Sequence, residues 1–381
     1  MGICSKENER EGVAVKIKNN ETVEISTEAL GKQERKRLKQ SKRKRVGRAV
    51  DRIFGFLLAT VILFGVAGLG AEYVLIKGPS PALKEYFSMT FMESRRFRWV
   101  PAIFLSQDEV KELVRSNKLR ETEQVFDPTL VTIKAADAEV EEPTNDGPQL
   151  NEYGDIDEDG DGIILEKVTG NGYVGYMIKV LDPKRVFISR GGAAYPLAEQ
   201  VRMNNALGGI NAGAFLDEHG GGDGNSPDGL TMINGEVLNV GYDSNAIAGL
   251  TEEGLLVVGY YSASEAISLG IKNCVTFGPV LITNGVPSNL SRKSSGLNPR
   301  TAIGQRKDGC ILMLVIDGRQ VHSYGATYQD VQDIMLEFGA VNALNLDGGS
   351  STTMWYNGDY VNSCSSANGI ARPIPDAFLF R

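Results

Sequence analysis

Cysteine and histidine are scarce in this chain, which has four cysteines and two histidines among its 381 residues. Cys4 stands alone near the start, and at most one disulfide can form among Cys274, Cys310 and Cys364. The chain is therefore not a disulfide framework, and no Cys/His spacing indicates zinc. We expect Cys310, in an apolar strand pattern, to be an ordinary core residue. A chain of this length has ample residues to fold around a conventional hydrophobic core.

Charge is absent from residues 53–71, which read IFGFLLATVILFGVAGLGA. With their flank to residue 76, they are long enough to cross a bilayer core of roughly 30 Å as a helix. Lysine and arginine are dense in residues 32–52, on one side only, which predicts a cytoplasmic N-terminus and an extracellular C-terminal bulk. The long basic flank and the lack of an A-x-A site favour a retained signal anchor over a cleaved signal peptide.

Two further features bear on nucleic-acid or nucleotide binding. The basic run could be a nucleic-acid arm, but membrane orientation and anionic lipid explain its place before the apolar segment more simply, so no nucleic-acid partner is expected. The glycine-rich stretch 218–224, which contains His219, lacks the Gly-Lys-Ser/Thr of a phosphate loop. We interpret it as a solvated insertion rather than a mobile lid. His322 is expected to be an exposed loop residue without a catalytic role.

Composition divides the chain into five segments. They are a disordered basic cytoplasmic tail (1–52), a transmembrane signal anchor (53–76), a helical stalk (77–135), an acidic linker (136–162) and a β-rich domain (163–381). The expected fold class is α+β: a β-rich domain with a mixed sheet and a few packed helices, preceded by one transmembrane helix and a short helical stalk.

The acidic stretch 155–166 reads DIDEDGDGIILE and follows part of a calcium-loop pattern. Asp157, Asp159 and Asp161 occupy the first, third and fifth positions, but the twelfth is Val168 rather than the bidentate glutamate. Counted from Asp155, Glu166 falls at twelve, but the isoleucine is then out of place. A calcium site and a plain acidic turn both remain open, and no other cofactor is indicated.

A strand–helix–strand pattern is the clearest organising signal of the later chain. The strands 311–316 and 341–346 flank a helix that Thr327 can cap and Gly339 can end. We expect the two strands to be neighbours. Asp317 follows the first and Asp347 the second, so both carboxylates should leave the same sheet edge, where ligands bind in open sheets.

Several polar motifs, taken in order, resemble the phosphodiester glycosidase family. They are NAGAF (211–215), FGPVLITNG (277–285), PRTAIG (299–304), IDGR (316–319), GAT (325–327), NALNLDGGSSTTM (342–354) and RPIPDAF (372–378). The resemblance covers about residues 167–381, and residues 91–106 look similar to the membrane-anchored bacterial branch. Ala212 and Ser350 stand where the family often has glycine.

This resemblance implies hydrolysis of a sugar-1-phosphodiester between the anomeric carbon and the phosphate oxygen. Asp347 is the first candidate for the catalytic carboxylate and Asp317 the second. The candidates for binding the glycan or sugar-phosphate substrate are Arg300, Thr301, Asn211, Gly348, Gly349, Ser351, Thr352 and Arg372. The arginines offer forked donors to phosphate, and the two glycine N–H groups could form an anion nest. Inverting and retaining courses remain open.

A non-catalytic alternative fits the same motifs. The pocket could recognise phosphodiester-linked envelope polymers without cleaving them, and the replaced glycines motivate this interpretation.

Overall fold

The computed structural model describes residues 13–16, 22–25, 27–94, 97–116, 125–133, 151–189, 193–216, 224–290, 295–366 and 368–381. The chain divides into two compact units, Met1–Val74 and Leu75–Arg381. In the first unit, β1 (Val13–Lys16) pairs antiparallel with β2 (Thr22–Ile25).

Helix α1 (Thr27–Lys77) carries the apolar segment. Of the residues the structure describes, Val50–Lys77 is the one helical segment long and apolar enough to cross a membrane. It contains the predicted span, 53–76, and its large apolar side chains from Val50 to Val74 are exposed, whereas Ile76 is buried. Residues 27–52 are also helical, where composition predicted disorder; lysine, arginine, glutamate and glutamine, which fill that stretch, are good helix formers.

The predicted helical stalk contains three short helices: α2 (Pro81–Glu93), α3 (Pro101–Phe104) and α4 (Gln107–Ser116). Ser80 caps α2, which begins with Pro81. The predicted capping box at α4 is present, because Ser106 N–H donates to Glu109 and Glu109 N–H donates back to the Ser106 hydroxyl.

The strands and helices of the remaining chain alternate with short turns. The strands are β3 (Ile163–Gly170), β4 (Tyr173–Val180), β5 (Val186–Ile188), β6 (Gly208–Asn211), β7 (Thr231–Ile233), β8 (Glu236–Asn239), β9 (Asn245–Thr251), β10 (Leu256–Tyr261), β11 (Ile271–Thr276), β12 (Val280–Thr283), β13 (Val286–Pro287), β14 (Arg300–Arg306), β15 (Ile311–Ile316), β16 (Ala340–Leu346), β17 (Met354–Tyr356), β18 (Asp359–Tyr360) and β19 (Ala377–Phe380). The helices are α5 (Leu197–Met203), α6 (Ala263–Ser268) and α7 (Tyr328–Glu337).

Three sheets form from these strands, in the orders β13-β12-β16-β14-β15-β4-β3, β10-β9-β11-β7-β8 and β18-β17-β6-β19-β5. The β-rich α+β class is confirmed. The strand pairs among the described residues are antiparallel, however, where a mixed sheet was expected. One face of the seven-stranded sheet packs in a core shared with strands of the other two sheets, and its opposite face packs against α7.

The expected adjacency of β15 and β16 is wrong, because β14 lies between them and pairs antiparallel with both. Residues 307–310 join β14 to β15 as a hairpin, and the chain then passes through α7 to β16 on the other side of β14. Since β15 and β16 both oppose β14, they run parallel to each other. Their C-terminal ends still share one edge, and Arg300, at the start of β14, joins them there.

A buried ion network fastens the acidic stretch to this sheet. Asp155 accepts from Lys179 on β4 and from Arg306 on β14, and Arg306 also binds Asp308 at 2.7 Å. Burial raises the pKa of the Asp155 carboxyl, but hydrogen bonds from Lys179, Asn151 and Arg306 outweigh burial and hold it at about 2. Residues 151–162 therefore belong structurally to the folded unit.

The Cys274, Cys310 and Cys364 thiols are free and buried. Burial raises the pKa of Cys274 and of Cys310 to about 12, so neither is a reactive thiol. Cys4 lies outside the described residues.

We expect Asp155→Asn to destabilise the Leu75–Arg381 unit by ~3 kcal/mol, because it leaves two buried cations short of an anion. The stability that the wild-type carboxylate contributes is present above its ordinary pKa of 3.8 and is lost as pH falls through about 2. Chemical denaturation at pH 7 measures the change. Glu199→Gln, at an exposed pair with Arg202, is the matched control and should shift stability little. Equal destabilisation by both variants would contradict the network's importance.

Candidate active site

Asn211, at the end of β6, fastens the sheet edge where the predicted residues meet. Its Nδ2 donates to the Asp347 carbonyl oxygen at 2.6 Å. Its Oδ1 accepts from the Thr301 hydroxyl at 2.8 Å and from the Thr353 N–H at 3.1 Å. Asn211 and Thr301 are fully buried. The structure thus places Asn211 and Thr301 at the Asp347 turn. Their polar atoms bond within the protein and hold the turn in place, although they were predicted to bind substrate.

The turn after Asp347 depends on its glycines. Gly349 has φ of 61°, and a Cβ at Gly348 would lie 2.7 Å from the Pro299 carbonyl oxygen. The Gly349 N–H donates to that same oxygen at 3.0 Å, and Asp347 N–H donates to the Ala212 carbonyl oxygen. The predicted anion nest is therefore not open at Gly349, whose N–H is already bonded.

The predicted hydroxyls of Ser351, the last residue of a 3₁₀ turn, and of Thr352, its C-cap, are buried. The Thr352 Oγ1 has no hydrogen-bond partner in the described chain, and the Thr352 carbonyl oxygen accepts from Asn362. Ser350, in contrast, lies 3.5 Å from the Arg372 guanidinium, which also sits over the Phe215 ring.

Arg300 is buried and has several partners. Its Nε donates to the Ala326 carbonyl oxygen at 3.0 Å, and its Nη2 donates to the Gly296 carbonyl oxygen and to Glu93, both at 2.8 Å. Its guanidinium lies 4.0 Å from the centre of the Tyr328 ring. Burial lowers the pKa of Arg300, but the adjacent Glu93 charge opposes burial, and the pKa ends above its ordinary value. The forked donor that sequence assigned to phosphate is thus engaged within the protein.

Arg319, from the IDGR motif, is a site residue that sequence analysis passed over. Its Nη2 and Nε donate to the Asn298 Oδ1 at 2.8 and 3.3 Å, and its Nη1 lies 3.4 Å from where a Gly349 Cβ would stand. Within the part of the chain that the structure describes, it makes no ion pair. Loss of hydration and the nearby Arg300 cation lower its pKa, while the charges of Glu93 and Asp347 oppose that shift.

Asp317 is held in a network of its own. Its Oδ1 accepts from the Asn362 amide at 3.1 Å and from the Ser363 N–H at 3.0 Å, and its Oδ2 lies 3.1 Å from the His322 ring. The carboxyl is 2% exposed, whereas the His322 side chain is 47% exposed, as expected for that loop. Asp317 therefore organises the loop beside the site, and Asp347 is the less enclosed of the two predicted carboxyls.

Asp376, in the RPIPDAF motif, is a further carboxyl of the site that sequence analysis did not select. Its Oδ1 accepts from the Gly213 N–H at 2.7 Å, and its Oδ2 is buried without a partner in the described chain. Burial raises its pKa to about 7, and the nearby Asp347 charge adds to that shift. Asp347 and Asp376 thus bond to adjacent residues, Ala212 and Gly213, of the turn after β6.

Comparison with known proteins now identifies the domain. Residues 204–381 match the model of the family described as "Phosphodiester glycosidase". The chain carries a domain of this family. It is 38% identical over 118 residues to the SPbeta prophage-derived uncharacterized protein YomE of Bacillus subtilis (strain 168), covering 30% of this chain and 18% of that protein. It is 26% identical over 219 residues to the mouse N-acetylglucosamine-1-phosphodiester alpha-N-acetylglucosaminidase, covering 50% of this chain and 41% of that enzyme.

The chain thus spans less than half the length of these curated relatives. Among solved structures, it is similar to the catalytic domain of the zebrafish enzyme of the same name, auto-inhibited by its pro-peptide. That similarity has a TM-score of 0.49 and 22% identity and covers 57% of this chain and 82% of that one.

The acidic loop before the phosphodiester glycosidase domain keeps its carboxylates together. One carboxylate oxygen from each of Asp157, Asp159 and Asp161 lies within 4.8 Å of the others. Glu166, the acid nearest the twelfth position, instead binds Lys179 at 2.8 Å. Three oxygen ligands suit calcium, but the bidentate ligand of such loops is not supplied, so calcium binding stays a prediction. His219 and residues 217–223 lie outside the described residues.

We expect Asp376→Asn to alter how stability depends on pH. The folded-state pKa of about 7 exceeds the ordinary 3.8, so wild-type stability should fall as pH rises from about 4 to about 7. The neutral asparagine should remove this decline and be more stable than wild type at pH 8 by ~1 kcal/mol or more. Denaturation at pH 5 and pH 8 measures the difference, with the exposed Asp359→Asn as control. Parallel pH profiles for wild type and Asp376→Asn would contradict the assignment.

Proposed function

We propose that this protein is a membrane-anchored, extracellular phosphodiester glycosidase that hydrolyses sugar-1-phosphodiester bonds in envelope or extracellular glycans. The observation that carries the proposal is the position of Arg319 at the Asp347 turn: its Nη1 lies 3.4 Å from where a Gly349 Cβ would stand, and the charges of Asp347 and Arg300 both act on it. The family match and the activity named for the mouse relative support the substrate class.

The chemistry requires a carboxylate at the anomeric carbon and cations at the phosphate. A phosphate ester is a weak base and leaves without a strong general acid, so the bond between the anomeric carbon and the phosphate oxygen breaks with the electron pair on oxygen. Asp347 either accepts a proton from the attacking water or stabilises the oxocarbenium-like centre. Arg372 borders the same turn through Ser350 and offers its guanidinium to the phosphodiester.

The enzyme activity is tested with the full chain in detergent and an aryl α-N-acetylglucosamine-1-phosphodiester. We expect Asp347→Asn to lower kcat by ~10²–10⁴-fold, the range for loss of a catalytic proton-transfer group. Glu199→Gln, far along the chain on α5, is the control and should leave turnover unchanged. Turnover that survives Asp347→Asn would refute the assignment. Tight binding of an intact phosphodiester polymer without product would favour the alternative, a non-catalytic binding module.

We also infer that Val50–Lys77 is a retained single-pass anchor with a cytoplasmic N-terminus, supported by its length, its apolar surface and the basic residues before it. An impermeant maleimide should label Cys4 only after cells are permeabilised. It should label Ile370→Cys, at a 65% exposed position, on intact cells. Burial keeps the pKa of Cys274, Cys310 and Cys364 raised, so the native thiols give little background. The reverse labelling pattern would overturn the orientation.

A further inference from the structure

The candidate active site extends beyond the matched family region to α2, because Glu93, the last residue of α2, enters the arginine cluster. Its Oε2 accepts from the Arg300 Nη2 at 2.8 Å and from the Asn298 Nδ2 at 2.7 Å. The Glu93 side chain is 19% exposed and that of Arg300 is 6% exposed. The family match begins at residue 204, and the resemblance of residues 91–106 to the bacterial branch gave Glu93 no role, yet the Glu93 carboxylate is the counterion of Arg300.

Close backbone packing fixes where Glu93 stands. A Cβ on Gly296 would lie 2.1 Å from the Thr90 Cα, so only glycine lets α2 approach the segment that precedes β14. The Thr90 hydroxyl accepts from the Leu297 N–H at 3.1 Å, one residue before Asn298. These contacts join α2 to the segment before β14 without involving the Glu93 side chain.

Asn298 connects Glu93 to Arg319. It is 3% exposed, and its backbone pairs with Ala326 through both N–H and carbonyl oxygen. Its Nδ2 faces the Glu93 carboxylate, and its Oδ1 faces the Arg319 guanidinium at 2.8 Å. Only this amide orientation matches donors with acceptors on both sides. An asparagine here can therefore bond a buried anion and a cation at once, with each bond polarising the other.

Arg319 is the member of the Glu93–Asn298–Arg319 series that faces the Asp347 turn. The backbone φ of Arg319 is 58°, a left-handed conformation that an arginine rarely adopts, and the Arg319 guanidinium approaches Gly349. Arg300 bonds to a carboxylate and two carbonyl oxygens, whereas Arg319 bonds to the neutral Asn298 oxygen. A cation that has no ion pair among the described residues and lies beside a glycine turn is suited to an anionic ligand.

We propose that Arg319 binds the substrate phosphodiester, and that Glu93 acts as a positioning residue that holds Arg319 in place through Asn298. This rests on the proposed function, since it names the group at that site that contacts the phosphate. It also means that the membrane-proximal helix contributes to substrate affinity without touching the substrate.

Binding of α-N-acetylglucosamine-1-phosphate to the full chain in detergent, measured by calorimetry, tests the proposal without requiring turnover. We expect Arg319→Gln to weaken binding ~10-fold or more, as for loss of a charge-assisted hydrogen bond. Asn298→Ala, which keeps the Glu93–Arg300 pair, should weaken binding several-fold. Glu93→Gln keeps an acceptor oxygen and should be milder than Glu93→Ala. With the aryl phosphodiester, Asn298→Ala should raise KM more than it lowers kcat.

The double variant Asn298→Ala/Arg319→Gln decides whether the residues act in series. It should bind no more weakly than Arg319→Gln alone, because the positioned group is already missing. Fully additive losses, or Asn298→Ala binding as wild type does, would overturn the positioning role. Tighter binding by Glu93→Ala would overturn it too, because Glu93 would then compete with the ligand. Glu199→Gln is the control, and melting temperatures verify folding. Absence of both binding and turnover in wild type would instead refute the proposed function.

Discussion

The antiparallel pairing of β14 with both β15 and β16 is the constraint on which the site depends. It brings the start of one strand and the ends of two others to a single edge, so Arg300, Asp317 and Asp347 meet although they are distant in sequence. Asn211 then ties the Asp347 backbone to Thr301 across the edge. Without β14 in the middle, the parallel strands would still bring both acids to the same edge, but Arg300 would not stand between them.

Electrostatic balance follows from that arrangement. Arg319 lies within electrostatic range of a second guanidinium group, that of Arg300, and of two carboxyls, those of Glu93 and Asp347. Arg300 and Glu93 are buried together, which suits a pair whose charges offset each other's desolvation. Arg319 and Asp347 occupy the less enclosed positions, next to a glycine turn. The cluster thus separates into a buried pair that supports the structure and a more accessible pair available for chemistry.

Much of this was predictable from sequence where a local rule applied. Thr327 and Gly339 mark the ends of α7, the Asp347 turn needs its glycines, and the motif order indicated the family. Partners across long sequence separations were not predictable. Nothing near Glu93 indicates that it meets Arg300, and Asp376 becomes unusual only because folding buries its carboxyl. Residue type indicated that Asn211 and Thr301 belong to the site, but not that their polar atoms bond to each other.

The contact of Thr90 with Gly296 bears on which residues a fragment of this protein must include. A fragment that begins at residue 204, where the matched family region starts, would lose β4 and β5, which pair with β15 and β19, and would leave the Arg300 guanidinium without the Glu93 carboxylate. Transplanting the fold into another protein therefore requires residues 81–93 as an accompanying part, supplied either in the same chain or as a separate peptide.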